Sequence, residues 1–445
     1  MRLEPVQPAW QSEHMNDSTV ADTATDTTAA HPAQPPATCV DAITSAEVYL
    51  PAQDLKTEMP FFLNVLGFQL DEIFPADDPA VAVISGHGLR IRLDRNATMT
   101  PGRLRLRCED AATFAGGAEV LTSPSGHCIE ITEARPKLEQ PATQHSYMVR
   151  HLRDSDAWVI GRAGMHYRDL IPNRLGGSII ASHIRIPDGG PVPDMVHYHT
   201  VGFQLIFCYR GWVRLVYEDQ GEPFILEAND CVIQPPEIRH RVLEASDNVE
   251  VIEIGVPAEH ITTIDHEMEL PNETVNRQRQ WQGTRFVHYK ARETPWQPWR
   301  LTGWVSRDTG IGTATAGVAG VHVSKPGTPT TDSATQTTTV GTSTTDAGTT
   351  NAGTTNTCAA NTRTTNTCTT GSTGGWYSHD TDILFTFVKE GSMTLEVKGE
   401  APSTLSAGDA FVLPPYIKAR YLSPSTDCEL IEIALQADFE TTAHT

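Results

Sequence analysis

Short runs of alternating apolar and polar residues make up most of the middle and the C-terminal part of the chain. They are rich in β-branched and aromatic residues and are separated by glycine, proline and aspartate, a pattern typical of short strands joined by turns. The clearest are SIIASHIRI, FQLIFCYRGWVRLVYE, DCVIQPP, HRVLEA and VEVIEIG. One helical pattern, DLKTEMPFFLNVLG, precedes them and is weakened by Pro60. Many closely spaced short strands predict a mainly β protein built from sandwiches or barrels.

Two tracts lack this pattern. Residues 1–40 are rich in Thr, Ala, Pro and Asp, and residues 327–375 consist mostly of Thr, Ser, Gly, Asn and Ala. Neither tract can bury enough apolar surface to offset the entropy that ordering would cost, so we expect both to be disordered. The remaining sequence has the composition of ordinary globular domains.

The strand pattern occurs twice. The segment ANDCVIQPPEIRHR, from Ala228, is echoed by AGDAFVLPPYIKAR, from Ala407. The other matched positions, first copy before second, are His166–Arg168 with His288–Lys290, His183 with His322, Gly211 with Gly391, and Glu253 with Glu432. This repeat predicts two copies of one barrel, at residues 145–265 and 285–440. The Thr-rich tract then falls in a loop of the second copy, where added length costs little entropy.

Charge and cysteine content narrow the class of protein. The chain of 445 residues carries a net charge of −22, which argues against binding nucleic acid or an anionic membrane surface. It contains no apolar run of 18 residues, and its first residues lack the basic and apolar segments of a signal peptide. Eight cysteines occur without a CxxC pair, which favours a reducing compartment. We expect a cytoplasmic protein with a small-molecule substrate, and a homo-oligomer is compatible with the sequence.

Three histidines of the first copy have the spacing of metal ligands. His197 and His199 are two residues apart in a predicted strand, so their side chains face the same side. His240 follows about forty residues later, after a turn with two prolines. Three imidazoles on neighbouring inward-facing strands are a suitable set for a divalent first-row metal and leave open positions. Gln204, five residues after His199, could add an amide oxygen.

This arrangement resembles the cupin superfamily. Its first motif is G-x5-H-x-H-x(3,4)-E-x6-G, and its second is G-x5-P-x-G-x2-H-x3-N. The matching residues are Gly190, which is one residue too far from the first histidine, then His197, His199, Gln204, Gly211, Asn229, Pro235, Glu237 and His240. The resemblance implies two double-stranded β-helix (jelly-roll) barrels. It also implies that His197, His199 and His240 ligate a metal, with Gln204 at the usual glutamate position.

The replacement of that glutamate by Gln204 leaves two readings open. A ligating amide, together with three neutral imidazoles, would leave the metal its full +2 charge and favour anionic, bidentate oxygen donors. If Gln204 does not ligate, the metal has three protein ligands. In the second copy the four positions are occupied by Tyr377, His379, Leu384 and Ala419. One histidine cannot hold a divalent metal, so we expect that barrel to be metal-free.

The segment before the barrels resembles a degenerate glyoxalase-type (vicinal oxygen chelate) module over residues 41–135. The strand, helix and Leu66-Gly67-Phe68 that follow Ala42 match its opening, and SPSGHCIEIT matches its closing strand. The usual ligand positions hold Glu47, Arg103 and Glu130, which form either a salt-bridged remnant or a site. The resemblance implies a small α+β domain in front of the barrels, for which we favour a structural or oligomerisation role.

The site so described predicts a metal-dependent enzyme. Our first hypothesis is an Fe(II) dioxygenase of a small oxygenated substrate bound by chelation, with Mn, Zn or Ni as other candidate metals. A metal-assisted isomerase or decarboxylase would need an additional acid/base group, and a non-catalytic metal- or metabolite-binding protein is the third reading. Arg185 and His183, in the strand before the metal motif, are candidate substrate-binding residues.

Overall fold

The structure is a computed structural model that describes residues 42–154, 158–327 and 374–445. These form two compact units, one ending at Pro136 and one beginning at Lys137. Both predicted disordered tracts lie almost wholly outside the described residues. The predicted fold class is confirmed, because the described chain is mainly β and folds into two jelly-roll barrels after a small α+β unit.

The N-terminal unit consists of two half-modules, each with one short helix. Its strands are β1 (Val48–Pro51), β2 (Gln69–Phe74), β3 (Val81–Gly86), β4 (Leu89–Asp94), β5 (Arg103–Cys108), β6 (Val120–Thr122) and β7 (Cys128–Glu133), and its helices are α1 (Leu55–Pro60) and α2 (Ala111–Ala115). The first half pairs its strands in the order β1-β4-β3-β2, and the second in the order β5-β7-β6. The outer pairs β1/β4 and β5/β7 are parallel. The second half is therefore one strand shorter than the first.

The predicted helix of this unit changes character at its proline. Asp54 caps α1 by accepting a hydrogen bond from the Lys56 amide, as short polar side chains commonly do at helix starts. After Pro60 the chain continues as a π-helical turn, Phe61–Val65. Proline cannot donate the backbone hydrogen bond of a regular α-helix, which accounts for the change at this position.

The second unit contains the two barrels. The strands of its first part are, in chain order, β8 (Met148–Arg150), β9 (Val159–Ile160), β10 (His166–Asp169), β11 (Ile180–Ile186), β12 (Gly190–Pro191), β13 (His197–Thr200), β14 (Phe203–Arg210), β15 (Trp212–Tyr217), β16 (Phe224–Glu227), β17 (Cys231–Ile233), β18 (His240–Ala245), β19 (Val249–Val256), β20 (Ile261–Ile264), β21 (Gln280–Trp281), β22 (Thr284–Arg285) and β23 (Val287–Tyr289). Barrel 1 has a seven-stranded sheet, β23-β17-β14-β19-β11-β10-β9, facing a sheet ordered β16-β15-β18-β13-β20, with β12 beside β18. Strands β21 and β22 form a separate hairpin.

Barrel 2 repeats this architecture. Its own strands are β24 (Gln297–Pro298), β25 (Trp304–Asp308), β26 (Gly320–Pro326), β27 (Trp376–His379), β28 (Ile383–Glu390), β29 (Ser392–Val397), β30 (Ser403–Ser406), β31 (Ala410–Leu413), β32 (Ala419–Leu422), β33 (Glu429–Leu435) and β34 (Thr441–His444), with a short helix α3 (Ile311–Ala314). The two sheets are ordered β24-β25-β26-β33-β28-β31-β8 and β30-β29-β32-β27-β34.

The barrels exchange edge strands. Strand β8, which precedes barrel 1, pairs with β31 of barrel 2, and β23, which precedes barrel 2, pairs with β17 of barrel 1. The outer faces of the two seven-stranded sheets pack together in one apolar core that contains Phe207 and Ile252 from barrel 1 and Phe387 and Ile431 from barrel 2. Each large sheet is therefore apolar on both faces.

Two of the repeat matches are wrong. The segments His166–Arg168 and His288–Lys290 are not equivalent, because the first includes the start of β10 beside β11 and the second includes part of the exchanged strand β23. The match of His183 with His322 is off by one residue. In barrel 1 Ser182 stands opposite Glu253, whereas in barrel 2 His322 itself stands opposite Glu432. A one-residue shift moves a side chain to the other face of its strand.

Candidate metal centre

The three histidines of the first motif converge inside barrel 1. His197 and His199 lie two residues apart on β13, and His197 stands directly opposite His240 on β18. The ring centroids of His197 and His240 are 4.2 Å apart, and His199 lies 5.1 Å from each of them. One nitrogen from each ring can be chosen so that all three lie within 4.8 Å of one another. Within the described part of the chain, this is the one group of His, Cys, Asp or Glu side chains with such geometry.

Each of these rings has a hydrogen-bond partner at Nδ1. His197 Nδ1 donates to the Met195 carbonyl over 2.7 Å, and His240 Nδ1 donates to the Ile238 carbonyl over 3.0 Å. Nδ1 of His199 lies 3.0 Å from the Thr262 hydroxyl, which can accept in the same way. A proton held on Nδ1 leaves the lone pair on Nε2, and partners of this kind orient ligating histidines in metal sites. The residues present therefore fit a divalent metal.

Burial holds the three rings in the neutral form. It lowers the pKa of His197, His199 and His240, and the neighbouring imidazoles lower the pKa of His199 and His240 further. A neutral imidazole is the form that binds a metal. The cluster is thus ready to accept a metal near neutral pH without first losing protons.

A guanidinium group lies against this cluster. Arg162, in a short turn before β10, donates from Nη2 to Nε2 of His197 over 3.1 Å. Its Nη1 pairs with the buried Asp194, whose other oxygen accepts the Val242 amide. His197 can ligate a metal only if the first of these hydrogen bonds is given up, and Asp194 provides Arg162 with a second partner. Arg162 lies outside both sequence motifs, and Asp194 occupies an unspecified position between Gly190 and His197, so sequence reasoning missed both.

The histidines border a partly open cavity of about 220 Å³. Its walls are mostly apolar, and its polar groups lie at one region near the histidines. The apolar lining is formed by Met165, Ile184, Ile186, Ile206, Val213, Leu215, Val242, Val249 and Val251. The further polar or aromatic lining is formed by Arg162, Tyr167, Tyr217, Gln234, Glu253, His260 and Thr262. A small apolar cavity with a few convergent polar groups is typical of a small-molecule site.

Glu253 supplies a carboxylate to this cavity. It projects from β19 on the same face as the cavity-lining Val249 and Val251. The Gln204 amide donates to its Oε1 over 2.7 Å, and Nε2 of His260 lies 3.8 Å from the same oxygen. His260 in turn stacks on His199 with the ring centroids 4.4 Å apart. The repeat pointed to Glu253 through its match with Glu432, but no motif indicated a role for it or for His260.

Gln204 does not border the cavity in the described structure. Its Nε2 is engaged by Glu253, and its Oε1 is buried without a hydrogen-bond partner among the described residues. The free oxygen is the atom that a ligating amide would use. Its role as a ligand stays a prediction.

The structure corrects the placement of the two candidate substrate-binding residues. His183 is buried between the barrels, where it donates to Glu250 over 2.6 Å and packs against Tyr209 and Phe387. Arg185 contacts Asn248 instead of the cavity. The neighbours of these residues on β11, Ile184 and Ile186, line the cavity, and alternate residues of a strand face opposite sides.

The corresponding interior of barrel 2 is built differently. Tyr377 stands opposite Ala419 in the register that His197 and His240 occupy in barrel 1. His379 is present, with its Nε2 donating to the Leu413 carbonyl over 3.2 Å. An ion pair joins the half-buried Arg300 to the buried Glu432, the counterpart of Glu253. Glu432 is thus paired with a guanidinium, whereas the equivalent carboxylate in barrel 1, that of Glu253, lines a cavity.

The two glutamates predicted in the N-terminal unit are both paired with arginines. Glu47 accepts from Arg90 over 2.8 Å, and Arg90 also contacts Asp71 and Glu72. Glu130 pairs with Arg103 and Arg105 at 3.1 and 2.8 Å. Both carboxylates are thus engaged in salt bridges, and the reading of this unit as a remnant of a glyoxalase-type module stays a prediction.

The fold and this histidine cluster define a protein of two jelly-roll barrels with one candidate metal centre. No family model matches the chain, and neither does any curated protein. Its fold is similar to solved structures of a salicylate 1,2-dioxygenase from Pseudaminobacter salicylatoxidans (11% identity, 69% of this chain and 91% of that chain, TM-score 0.45), oxalate decarboxylase from Bacillus subtilis (11%, 69% and 80%, 0.43) and protein Ylba from E. coli (9%, 68% and 97%, 0.41). Such low identities and TM-scores transfer no reaction to this chain. Among the described residues, no helix is long and apolar enough to cross a bilayer.

Proposed function

We propose that the chain is a metal-dependent enzyme of the two-barrel cupin type that acts on a small oxygenated organic molecule inside barrel 1. The observation that carries this proposal is the convergence of His197, His199 and His240 beside a cavity of about 220 Å³. Three neutral ligands leave the charge of the metal available to substrate oxygens. Fe(II) is the metal we favour, with Mn, Zn or Ni as alternatives, and the protein's partner is a small-molecule substrate in the cytoplasm.

The first candidate reaction is dioxygenation. A redox-active metal held by three histidines would supply activation of O2 and of a chelating substrate. The chain's own residues would exclude water through the apolar walls and hold the substrate near the histidines. Arg162 keeps its ion pair with Asp194, and its Nη2, which contacts His197 over 3.1 Å, would be free to donate a hydrogen bond to a substrate oxygen once His197 ligates a metal.

Glu253 favours a second candidate, a metal-assisted isomerase or decarboxylase. Such reactions need a group that moves a proton, and a carboxylate that lines the cavity is suited to that task. Its contacts with Gln204 and His260 hold the carboxylate in place, and no Lys or Arg of the described residues forms an ion pair with it. A non-catalytic metal- or metabolite-binding protein requires neither Glu253 nor O2.

For the N-terminal unit we propose a glyoxalase-like module that has lost its site. Two features support this interpretation. The elements of the first half follow one another as βαβββ and form a sheet in the order β1-β4-β3-β2, and the second half is one strand shorter. The pairing of Glu47 and Glu130 with arginines removes them as free metal ligands. A structural or homo-oligomerisation role is left for this unit.

The test is anaerobic purification, elemental analysis and an O2-uptake assay with a diketone and a phenolic acid. Stoichiometric iron and O2 uptake would support the dioxygenase. Turnover without O2 consumption would support the isomerase or decarboxylase. In that case Glu253→Gln should lose the turnover, and the surface control Glu244→Gln should keep it. Metal binding without any turnover would leave the non-catalytic reading, and a metal-free protein would contradict both enzyme readings.

A further inference from the structure

The cavity of barrel 1 contains one row of mostly polar side chains. His197 and Tyr217 both stand opposite His240, one on each side of β18. In the facing sheet, Glu253 on β19 stands opposite Ile206 on β14. All five residues line the cavity. This row, which we call the metal row, holds candidate ligands together with the carboxylate.

Behind the metal row, the inward positions of the large sheet are aliphatic. Val251 and Val249 lie two and four residues before Glu253 on β19, so all three face the cavity. Ile184 and Ile186 on β11 stand opposite Val251 and Val249. At about 3.3 Å per residue, Val249 lies about 13 Å along the strand from Glu253. The large sheet thus continues the cavity as two aliphatic rows.

The small sheet continues in the same way. Leu215 and Val213 precede Tyr217 by two and four residues on β15 and line the cavity as well. Both sheets reach the same end of the barrel, because a Cβ atom at Gly211 would lie 3.2 Å from the Cα atom of Val249. Val213 and Val249 are 4% and 1% exposed. They close the cavity at the end opposite to the histidines.

The acidic and basic groups of the cavity lie near the histidines. Besides the histidines themselves, the ionisable acid and base among the described lining residues are Glu253 and Arg162. Arg162 contacts His197, and Glu253 accepts from Gln204. A charged group buried at the aliphatic end would lose its hydration without a compensating partner. That end therefore suits a hydrocarbon group and offers no partner to a second charge.

The hydroxyl of Tyr167 does not change this picture. Tyr167 stands opposite Ile184 and lines the cavity. Its hydroxyl contacts the sulfur of Met165 over 3.7 Å, and burial raises the pKa of Tyr167 to about 12. The group is therefore neutral near neutral pH and brings no charge to the aliphatic rows.

We infer that the substrate of barrel 1 is a small molecule with a chelating, oxygen-bearing head and a saturated hydrocarbon tail, such as an aliphatic 2-oxo acid. The inference rests on the proposed function, since the head is assigned to a metal held by the three histidines. The tail then extends along Val251, and Val213 and Val249 limit its length. Sugars and dicarboxylates do not match this interior, because their polar groups would be buried among aliphatic side chains.

The test is isothermal titration calorimetry of the full-length protein loaded with Zn²⁺, which binds to histidine but has no redox chemistry. The ligands are pyruvate, 2-oxobutanoate, 2-oxopentanoate and 2-oxohexanoate. Each added methylene should tighten binding about four-fold, which corresponds to about 0.8 kcal/mol per buried methylene. 2-Oxoglutarate, which has the chain length of 2-oxopentanoate but ends in a second carboxylate, should bind at least about ten-fold more weakly than 2-oxopentanoate.

A variant at the closed end tests where the tail lies. Val249→Leu adds one carbon there, so it should leave pyruvate binding unchanged and weaken 2-oxohexanoate binding about four-fold, the value of one methylene. The matched control is Val318→Leu, at a position that is 47% exposed and outside barrel 1, and it should change neither affinity. If Val249→Leu does not fold, the wild-type titrations decide the inference by themselves.

The outcomes separate this inference from the proposed function. A Zn²⁺-loaded protein that binds none of these acids, affinities that do not rise with chain length, or 2-oxoglutarate bound as tightly as 2-oxopentanoate would overturn the inference and leave the metal centre intact. A folded Val249→Leu protein that binds 2-oxohexanoate as tightly as the wild type would show that the tail does not reach the closed end. A protein that takes up no Zn²⁺ would contradict the proposed function and this inference with it.

Discussion

The two barrels differ in how they accommodate an inward-facing glutamate. Each carries a glutamate at the same position of its central strand, Glu253 in barrel 1 and Glu432 in barrel 2. In barrel 2 the half-buried Arg300 neutralises that glutamate. In barrel 1 an amide holds it at the wall of an open cavity, and three imidazoles converge nearby. A shared strand framework can thus present either a charge-paired interior or one with an unpaired carboxylate beside three imidazoles, depending on a few inward side chains.

Removing Arg300 should produce the largest effect on stability. Arg300→Met leaves Glu432 as a buried charge without its partner, and the free energy of unfolding should fall by about 3–5 kcal/mol. The free energy of unfolding in urea measures this loss. The double variant Arg300→Met/Glu432→Leu removes both charges and should recover most of it. If the single variant were as stable as the wild type, pairing with Arg300 would not be needed to keep Glu432 inside barrel 2.

Acidification should destabilise barrel 2 through His379. Burial lowers the pKa of His379 to about 4, below the value of about 6.5 expected in an unfolded chain. Between these values the unfolded state binds the extra proton, so stability is full above pH 6.5 and is lost as the pH falls toward 4. Melting temperatures of the metal-free protein across this range should drop, and less steeply in His379→Gln. Equal slopes in both proteins would assign the effect to other groups.

A smaller effect, on metal affinity, should follow from removing the hydrogen-bond partner of one metal ligand. Thr262→Val removes the hydroxyl that faces Nδ1 of His199 while leaving all three imidazoles. Partners in this position typically affect metal affinity by about 10–100-fold. Competition with a chelator measures the change, and Thr263→Val, at the next position of β20, is the matched control. Equal loss in the two variants would indicate a disturbed strand instead of a loosened ligand.

The sequence was most informative where the strand pattern had one polar and one apolar face. His197 and His199 could be placed on one side of a strand and matched with His240, because the motif fixed both spacing and phase. The loss of these ligands in the second copy was readable for the same reason, from Tyr377 and Ala419.

The failures have two physical causes, a sheet that is apolar on both faces and contacts between residues far apart in the chain. Strand β11 lies in a sheet that is apolar on both faces, so its residue pattern could not show which face lines the cavity, and His183 and Arg185 were placed on the wrong one. The exchange of β8 and β23 between barrels is a non-local pairing that leaves no local signal. Arg162 reaches His197 across 35 positions of chain, and only the folded structure brings them together.

The central claim is that one barrel holds a metal and the other does not. Its most direct test is the metal-to-protein ratio, determined by elemental analysis of the wild type, His240→Ala and His379→Ala after anaerobic purification. The account predicts a ratio near one for the wild type and for His379→Ala, and near zero for His240→Ala, because His240 belongs to the converging triad and His379 belongs to no such group among the residues that the structure describes. A ratio near two in the wild type, or a metal retained in His240→Ala and lost in His379→Ala, would contradict it.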